Sequence, residues 1–342
     1  AYVYPVDYGA STTTNPIIKE WSTPEKAQQV ISFCISLCMY YQCYWPHERQ
    51  VQESAGVLLL SLAKRGGEIR SAMVSSPAIH QMVRFHCLTA GIRHSVTESD
   101  FEVIVRQKVG NDGLPAMDMI WGYQSLSYQD KARVLTSLLV ASSNSQDSTA
   151  NAMLNELLKN IHDSFTSLVN ALSANQVRPD DVNAKEMACL CVEMFCGVAH
   201  AGEMMEPQRI PQFITPYLPQ LSGLMTYYAK DLTICETLLR FFCEYTEQFV
   251  VMLDREQSLA LFNSSATLLK SYSANHCASN NRTGVKSAVE AAAEEEHAYG
   301  AILSAIRLLI NLGTKDFIDA CSSEEGVEST QVTDLIFFGL QQ

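Results

Sequence analysis

The sequence predicts an all-α fold, an α-solenoid of HEAT-type helical repeats. The first observation behind this is local. Residues 230–272 read as two amphipathic helices laid end to end, broken only near Leu253, Asp254 and Arg255. In the first of them Leu232, Cys235, Leu239, Phe242, Thr246 and Phe249 recur at three- and four-residue steps and so share one apolar stripe. The second observation is the width of that stripe, which Leu238, Phe241 and Tyr245 extend toward another neighbour. A helix apolar over so broad an arc must be sandwiched, as helices are in stacked repeats. The third is that the unit recurs with variation along most of the 342 residues, in a chain that is 47% apolar with only 11 Pro and 16 Gly. Such a composition buries a large core and lies far from disorder. One compact globule of this length is unusual, whereas an array has no such ceiling because each repeat meets only its neighbours.

The elements follow in order. Residues 1–20 are rich in Tyr, Thr and Pro and are expected to run extended. Ser22, Thr23, Pro24 and Glu25 make a helix start, a hydroxyl cap followed by Pro in the first turn where its missing N–H costs nothing. That helix runs to Tyr44; Trp45, Pro46, His47 and Glu48 break it, and a second ends at Gly66 and Gly67. A shorter pair covers residues 68–74 and 77–89. Residues 107–122 lack helical period and carry Gly110, Gly113, Pro115 and Gly122, which reads as a loop. Helices are expected over 127–142 and 148–172, then, after a turn and cap at Arg178, Pro179, Asp180 and Asp181, up to Ala201. Pro207, Pro211, Pro216 and Pro219 punctuate a broken helix reaching Ala229. The pair at 230–272 comes next, then a polar loop at 274–286, a helix over 287–312 and a last one after Ser329. This amounts to roughly twelve to fourteen helices, mostly of about 15 to 25 residues, whose pairing at about 40 to 50 residues suits HEAT repeats. Residues 21–342 therefore read as one continuous array, and the apolar segment 333–340 suggests a piece of a longer one, since terminal repeats carry a polar outer face.

The net charge is −13, with 37 Asp and Glu against 24 Lys and Arg. This argues against nucleic acid, which needs a positive field, and makes basic protein partners more plausible; the bland alternative is a mildly acidic surface that keeps a soluble protein soluble. The 11 cysteines are odd in number and sit mostly on apolar helix faces, as Cys34 and Cys38, or Cys189, Cys191 and Cys196, do. There they behave as small hydrophobes, which points to a reduced, intracellular chain. Asn263 and Asn281 match the glycosylation pattern, by chance in that setting. No uninterrupted apolar run approaches a membrane span and no signal peptide is evident.

No catalytic signature is present: neither a Walker loop, nor G-x-G-x-x-G, nor G-x-S-x-G, nor H-E-x-x-H. The cysteine spacings do not make paired zinc knuckles, and His297 after Glu294, Glu295 and Glu296 reads as a solvated helix residue. No enzyme activity, cofactor or metal is expected. The run from Met39 to Trp45, with Tyr40, Tyr41 and Tyr44, reads as core packing, because no basic residues interleave it. Acidic stripes are the candidate binding feature. Glu236, Arg240, Glu244 and Glu247 share one face of their helix, opposite the apolar stripe. Glu186, Glu193 and His200 sit seven residues apart on another, with Cys189 and Gly197 between them, and Glu290, Glu294 and Glu295 lie along a third. Aligned on inner helices, these would line an acidic groove selecting a cationic partner by charge pairing. The competing reading is an ordinary solvated face, worth little.

Several stretches resemble the C-terminal HEAT-repeat region of export receptors in the importin-β superfamily of nuclear transport receptors. They are Val192-Glu193-Met194-Phe195-Cys196-Gly197-Val198-Ala199, Leu268-Leu269-Lys270-Ser271-Tyr272-Ser273, Glu294-Glu295-Glu296-His297-Ala298-Tyr299 and Leu312-Gly313-Thr314-Lys315-Asp316-Phe317-Ile318-Asp319. The resemblance implies Ran-GTP-dependent export of folded protein cargo, including translation initiation factor 5A bearing hypusine, by a protein shuttling between nucleus and cytoplasm. It implies Ran-GTP as a partner, held mainly by repeats outside this chain, together with nucleoporins and a cargo with a basic or hypusine-bearing surface, and neither nucleic acid nor membrane. The cargo-binding candidates are Glu193, Glu236, Glu244 and Glu247. The alternative is a HEAT-repeat scaffold that assembles a protein complex without Ran.

Overall fold

A computed structural model describes residues 24–89, 91–92, 96–109, 117–143, 146–206, 208–277 and 288–314, and these described residues are helical with no strand among them. The helices are α1 (Pro24–Tyr44), α2 (Arg49–Lys64), α3 (Gly67–Val74), α4 (Pro77–Thr89), α5 (Glu98–Val109), α6 (Met117–Gln124) and α7 (Tyr128–Ala141). They continue as α8 (Ser148–Ser173), α9 (Val182–Ala201), α10 (Arg209–Ile214), α11 (Leu218–Tyr227), α12 (Leu232–Phe249), α13 (Arg255–Tyr272) and α14 (Ala288–Leu312).

Short polar side chains start many of these helices. Ser127, Asp147, Asp181 and Asp231 each accept hydrogen bonds from the first-turn amides of α7, α8, α9 and α12. Asp254 and Gln257 form a reciprocal capping box on α13, and each such cap contributes about 1 kcal/mol. The predicted break between α12 and α13 is therefore a built helix start.

Packing is governed by the wide apolar faces. Helices α2, α7, α9, α12 and α14 lie side by side, each against the next. On the flanks α1 covers α2, α8 covers α7 and α9, and α11 packs on both α12 and α13. Direction follows from matched residues. Lys185, Glu193 and His200 of α9 meet Asp231, Arg240 and Glu244 at the start and along α12, so these helices are parallel. Glu236 and Glu247 of α12 meet His297 and Arg307 of α14 in the same sense. The chain between parallel neighbours must run back, which is the task of the intervening helices. On α12, Cys235, Leu238, Leu239, Phe241, Phe242, Tyr245, Thr246 and Phe249 are all buried, so the two-sided apolar arc read from the sequence is used on both sides.

Several expectations need correction. Residues 117–124 are α6 rather than loop, and α5, whose last residues fall at 107–109, was not anticipated at all. Gly122, which reads as a helix breaker, is instead the point where α6 lies against the end of α1; a Cβ there would come within 1.8 Å of the Cys43 carbonyl oxygen. Glycine is required by close approach, not by a turn. Of the expected loop at 274–286, Ser273–Cys277 forms a π-helical turn, and the remainder lies outside the described residues, as do residues 1–20 and the helix after Ser329. The short helix expected over 68–74 is α3, and the proline-punctuated stretch is α10 and α11 with a 3-10 turn, Thr215–Tyr217, between them.

Tyr40, Tyr41, Tyr44 and Trp45 are not core: each is 39–46% exposed. Their rings form a surface cluster, with centroids 4.5 Å apart for Tyr40 and Tyr44 and 5.2 Å apart for Tyr41 and Trp45. Only Met39, Gln42 and Cys43 of that run turn inward. The expectation about apolar runs is also qualified. The Val182–Met204 segment is long and apolar enough to cross a membrane, but 72% of its most apolar window is buried in the fold, with α7, α8 and α12 around it.

The Gly122 contact yields a paired test. Gly122→Ala is expected to destabilise the fold by about 3 kcal/mol or more, because the clash is with backbone that has no flexible end to yield. Gly223→Ala in α11, where a Cβ meets nothing within 4 Å, is expected to be neutral or stabilising by up to ~1 kcal/mol. Urea unfolding midpoints of the two variants measure the contrast.

Candidate functional site

The four candidate carboxylates come together on one side of the parallel layer, and each faces a guanidinium or imidazole of the chain itself. α12 occupies the middle. Its apolar arc leaves a single polar stripe, so Glu236, Arg240, Glu244 and Glu247 share the face that borders α9 on one flank and α14 on the other. Toward α9, Arg240 donates to Glu193 Oε1, 47 residues earlier. One turn on, His200 Nε2 approaches Glu244 Oε2 at 3.3 Å. Toward α14, the His297 ring nitrogen Nδ1 lies 2.8 Å from Glu236 Oε2, and Arg307 donates to both oxygens of Glu247 at 2.8 Å. Lys185 Nζ, 3.1 Å from Asp231 Oδ2, continues the row at the N-terminal end of α12.

These contacts differ in depth. Glu193 is 5% exposed. Burial pushes its carboxyl up; the charge and hydrogen bond of Arg240 pull it back, Glu244 and Glu236 push it up again, and the net direction is up. The other three carboxylates are partly exposed, where an isolated pair contributes at most ~1 kcal/mol. The row is thus anchored at one buried pair and open at its rim. In formal charge it sets four carboxylates against two guanidiniums and two imidazoles, so the rim keeps negative charge whenever the imidazoles are neutral.

The sequence pattern located the carboxylates but placed Glu193 on an open face, and it is buried. It also took His297 for a solvated residue beside its own Glu294, Glu295 and Glu296, whereas it reaches across to α12. Arg307 was not singled out. Its position on α14, eleven residues after Glu296, carries no local hint of Glu247, 60 residues away. The stripe mate Glu186 is half-buried on α9 and Glu295 is exposed on α14. Among the described residues no three His, Cys, Asp or Glu side chains gather as they would around a metal ion.

A second polar cluster was missed altogether. Lys131 of α7 is 2% exposed, and its ammonium donates to Gln124 Oε1 at 3.2 Å. Gln124 in turn donates to the Ile92 carbonyl at 2.8 Å. His86 of α4, also buried, places Nδ1 3.0 Å from the Tyr123 hydroxyl. Burial lowers the Lys131 ammonium to about 7; burial, and then the charge of Lys131, lower His86 to about 3. A signal existed: Lys131, Leu135 and Leu138 share one helical stripe, so a lysine stood in line with core leucines. The described cysteines are free thiols, and burial raises several, Cys43 and Cys191 among them, to about 12.

No protein-family model matches the chain.

Two predictions come from these clusters. Arg240→Ala strands the buried Glu193 charge and is expected to cost about 3–5 kcal/mol, while the double variant Glu193→Leu/Arg240→Met is expected to recover most of it. Chemical denaturation of both variants checks this. For Lys131, the unfolded amine protonates near 10.5 and the folded one near 7. Between those values the unfolded chain binds more protons, so this group makes stability rise with pH, and its burial penalty is complete below 7. Lys131→Met is therefore expected to raise the melting temperature at about pH 6 and to lose most of that advantage by about pH 10, measured by calorimetry against the wild-type chain.

Proposed function

We propose that this chain is part of a HEAT-type α-solenoid that carries protein cargo as a nuclear export receptor, of the exportin-4 type within the importin-β superfamily. The observation that carries the reading is the recurrence of side-by-side helices, each reached from the last through intervening helices. Matched contacts fall 47 residues apart between α9 and α12, 61 between α7 and α9 and 61 between α12 and α14. Recurrence of this kind supports stacked helical repeats, whose extended faces serve macromolecular binding rather than turnover. The family-like stretches noted in the sequence supply the rest of the argument; two of them, 192–199 and 294–299, lie on the helices of the charged row.

In this reading the exposed rim of the row, Glu236, Glu244 and Glu247, receives a basic or hypusine-bearing cargo surface, and Glu193 holds Arg240 in place behind it. A cargo cation would compete with His200, His297 and Arg307 for carboxylates they already face. Selection then rests on displacing weak internal pairs, and imidazoles are the easiest to displace. Ran-GTP acts mainly through repeats outside this chain, and nucleoporin contacts accompany shuttling between nucleus and cytoplasm.

The test uses the full-length receptor that carries this chain. Cargo captured from nuclear extract should be retained with Ran locked in its GTP form and lost without it, since a receptor's two ligands are thermodynamically coupled. Retention indifferent to Ran would favour a Ran-independent scaffold. The double reversal Glu236→Lys/Glu244→Lys is expected to weaken cargo binding by about tenfold or more, equivalent to ~1.4 kcal/mol, while the circular dichroism spectrum stays helical. Unchanged affinity in a helical variant would remove these residues from the cargo surface.

A further inference from the structure

The polar cluster around Lys131 borders a small cavity of about 20 Å3 between α4, α7, α8 and α9. Its lining includes His86, Lys131 and Asn160, with Cys191 and Met194 on the apolar side. Two buried polar atoms of that lining have no hydrogen-bond partner in the protein, His86 Nε2 and Asn160 Oδ1. His86 is 3% exposed, and its other nitrogen is already engaged by Tyr123. The Asn160 amide nitrogen donates to the Cys87 carbonyl at 3.2 Å, which leaves its oxygen as a pure acceptor.

We propose that this cavity is a binding site for one internal water molecule bridging His86 Nε2 and Asn160 Oδ1. Size and chemistry select the occupant together. A volume near one water probe admits a single water and nothing larger. Asn160 Oδ1 requires a donor, which no halide supplies. A metal cation would sit beside the Lys131 ammonium, and no carboxylate is among the lining residues. Water donates to the amide oxygen and can either donate to or accept from the imidazole, so it fits both tautomers of His86. The bridge would add a second link between α4 and α8, beside the Asn160 to Cys87 hydrogen bond. Exchange has a route, because Gly91, Asn160 and Ser164 also line an adjacent, more open groove.

A crystal structure of the wild-type chain at a resolution that shows ordered water, with a second crystal soaked in bromide, tests this directly. The expected result is one peak within hydrogen-bond distance of both atoms and no anomalous bromide signal there. In solution, oxygen-17 relaxation dispersion should count one fewer long-lived water in Asn160→Leu than in wild type. A dry cavity, a peak bonded to only one of the two atoms, bromide in the cavity, or an unchanged water count would each overturn the proposal.

Discussion

The constraint on which the rest depends is the apolar width of α12. Buried side chains point from it toward α9, toward α11 and α13, and toward α14, and hydrophobic burial of that extent sets where every neighbour must lie. Only one narrow stripe is left for polar groups. Because the helices on either side run parallel to α12, its polar stripe meets theirs along a common edge, and charges spaced by whole turns face each other in sequence. The charged row is thus a consequence of how the apolar arc is covered.

That origin explains why the row is internally matched. Carboxylates brought beside a helix carrying arginine or histidine find partners before any external ligand arrives. Burial then sorts them by consequence. Glu193, enclosed between α9 and α12, depends on Arg240, because desolvation penalises an uncompensated charge far more than a paired one. Glu236, Glu244 and Glu247, at the solvent edge, are weakly held and screened. A partner surface can exploit the second group only, and the first acts as its support.

The Lys131 cluster shows the opposite economy. Here a cation lies in the core beside amide, imidazole and phenol groups. Polar groups so deep in an apolar junction need hydrogen bonds, such as those of Lys131 to Gln124 and of Gln124 to Ile92. The junction is where α4, α7, α8 and α9 meet, so its polarity sits where four helices converge.

Helix positions were largely legible in the sequence, because local signals determine them: the Pro24 start, the Asp181 cap, the break at Asp254 and the three-and-four periodicity of α12 are all written within a few residues. The same locality misled at Gly122, where a breaker signal marks a close approach between α1 and α6, and at Tyr40, Tyr41 and Tyr44, where aromatic character says nothing about which side faces water. The sequence by itself determined that the chain is helical, which residues start its helices, and that α12 needs neighbours on both sides. Only the tertiary structure decided which charge meets which, since Glu193 and Arg240, or Glu247 and Arg307, are separated by many tens of residues and no periodicity encodes a partner on another helix. It also decided that Lys131 and His86 share one buried cluster, because burial depends on how the helices stack and not on the stripe to which a residue belongs.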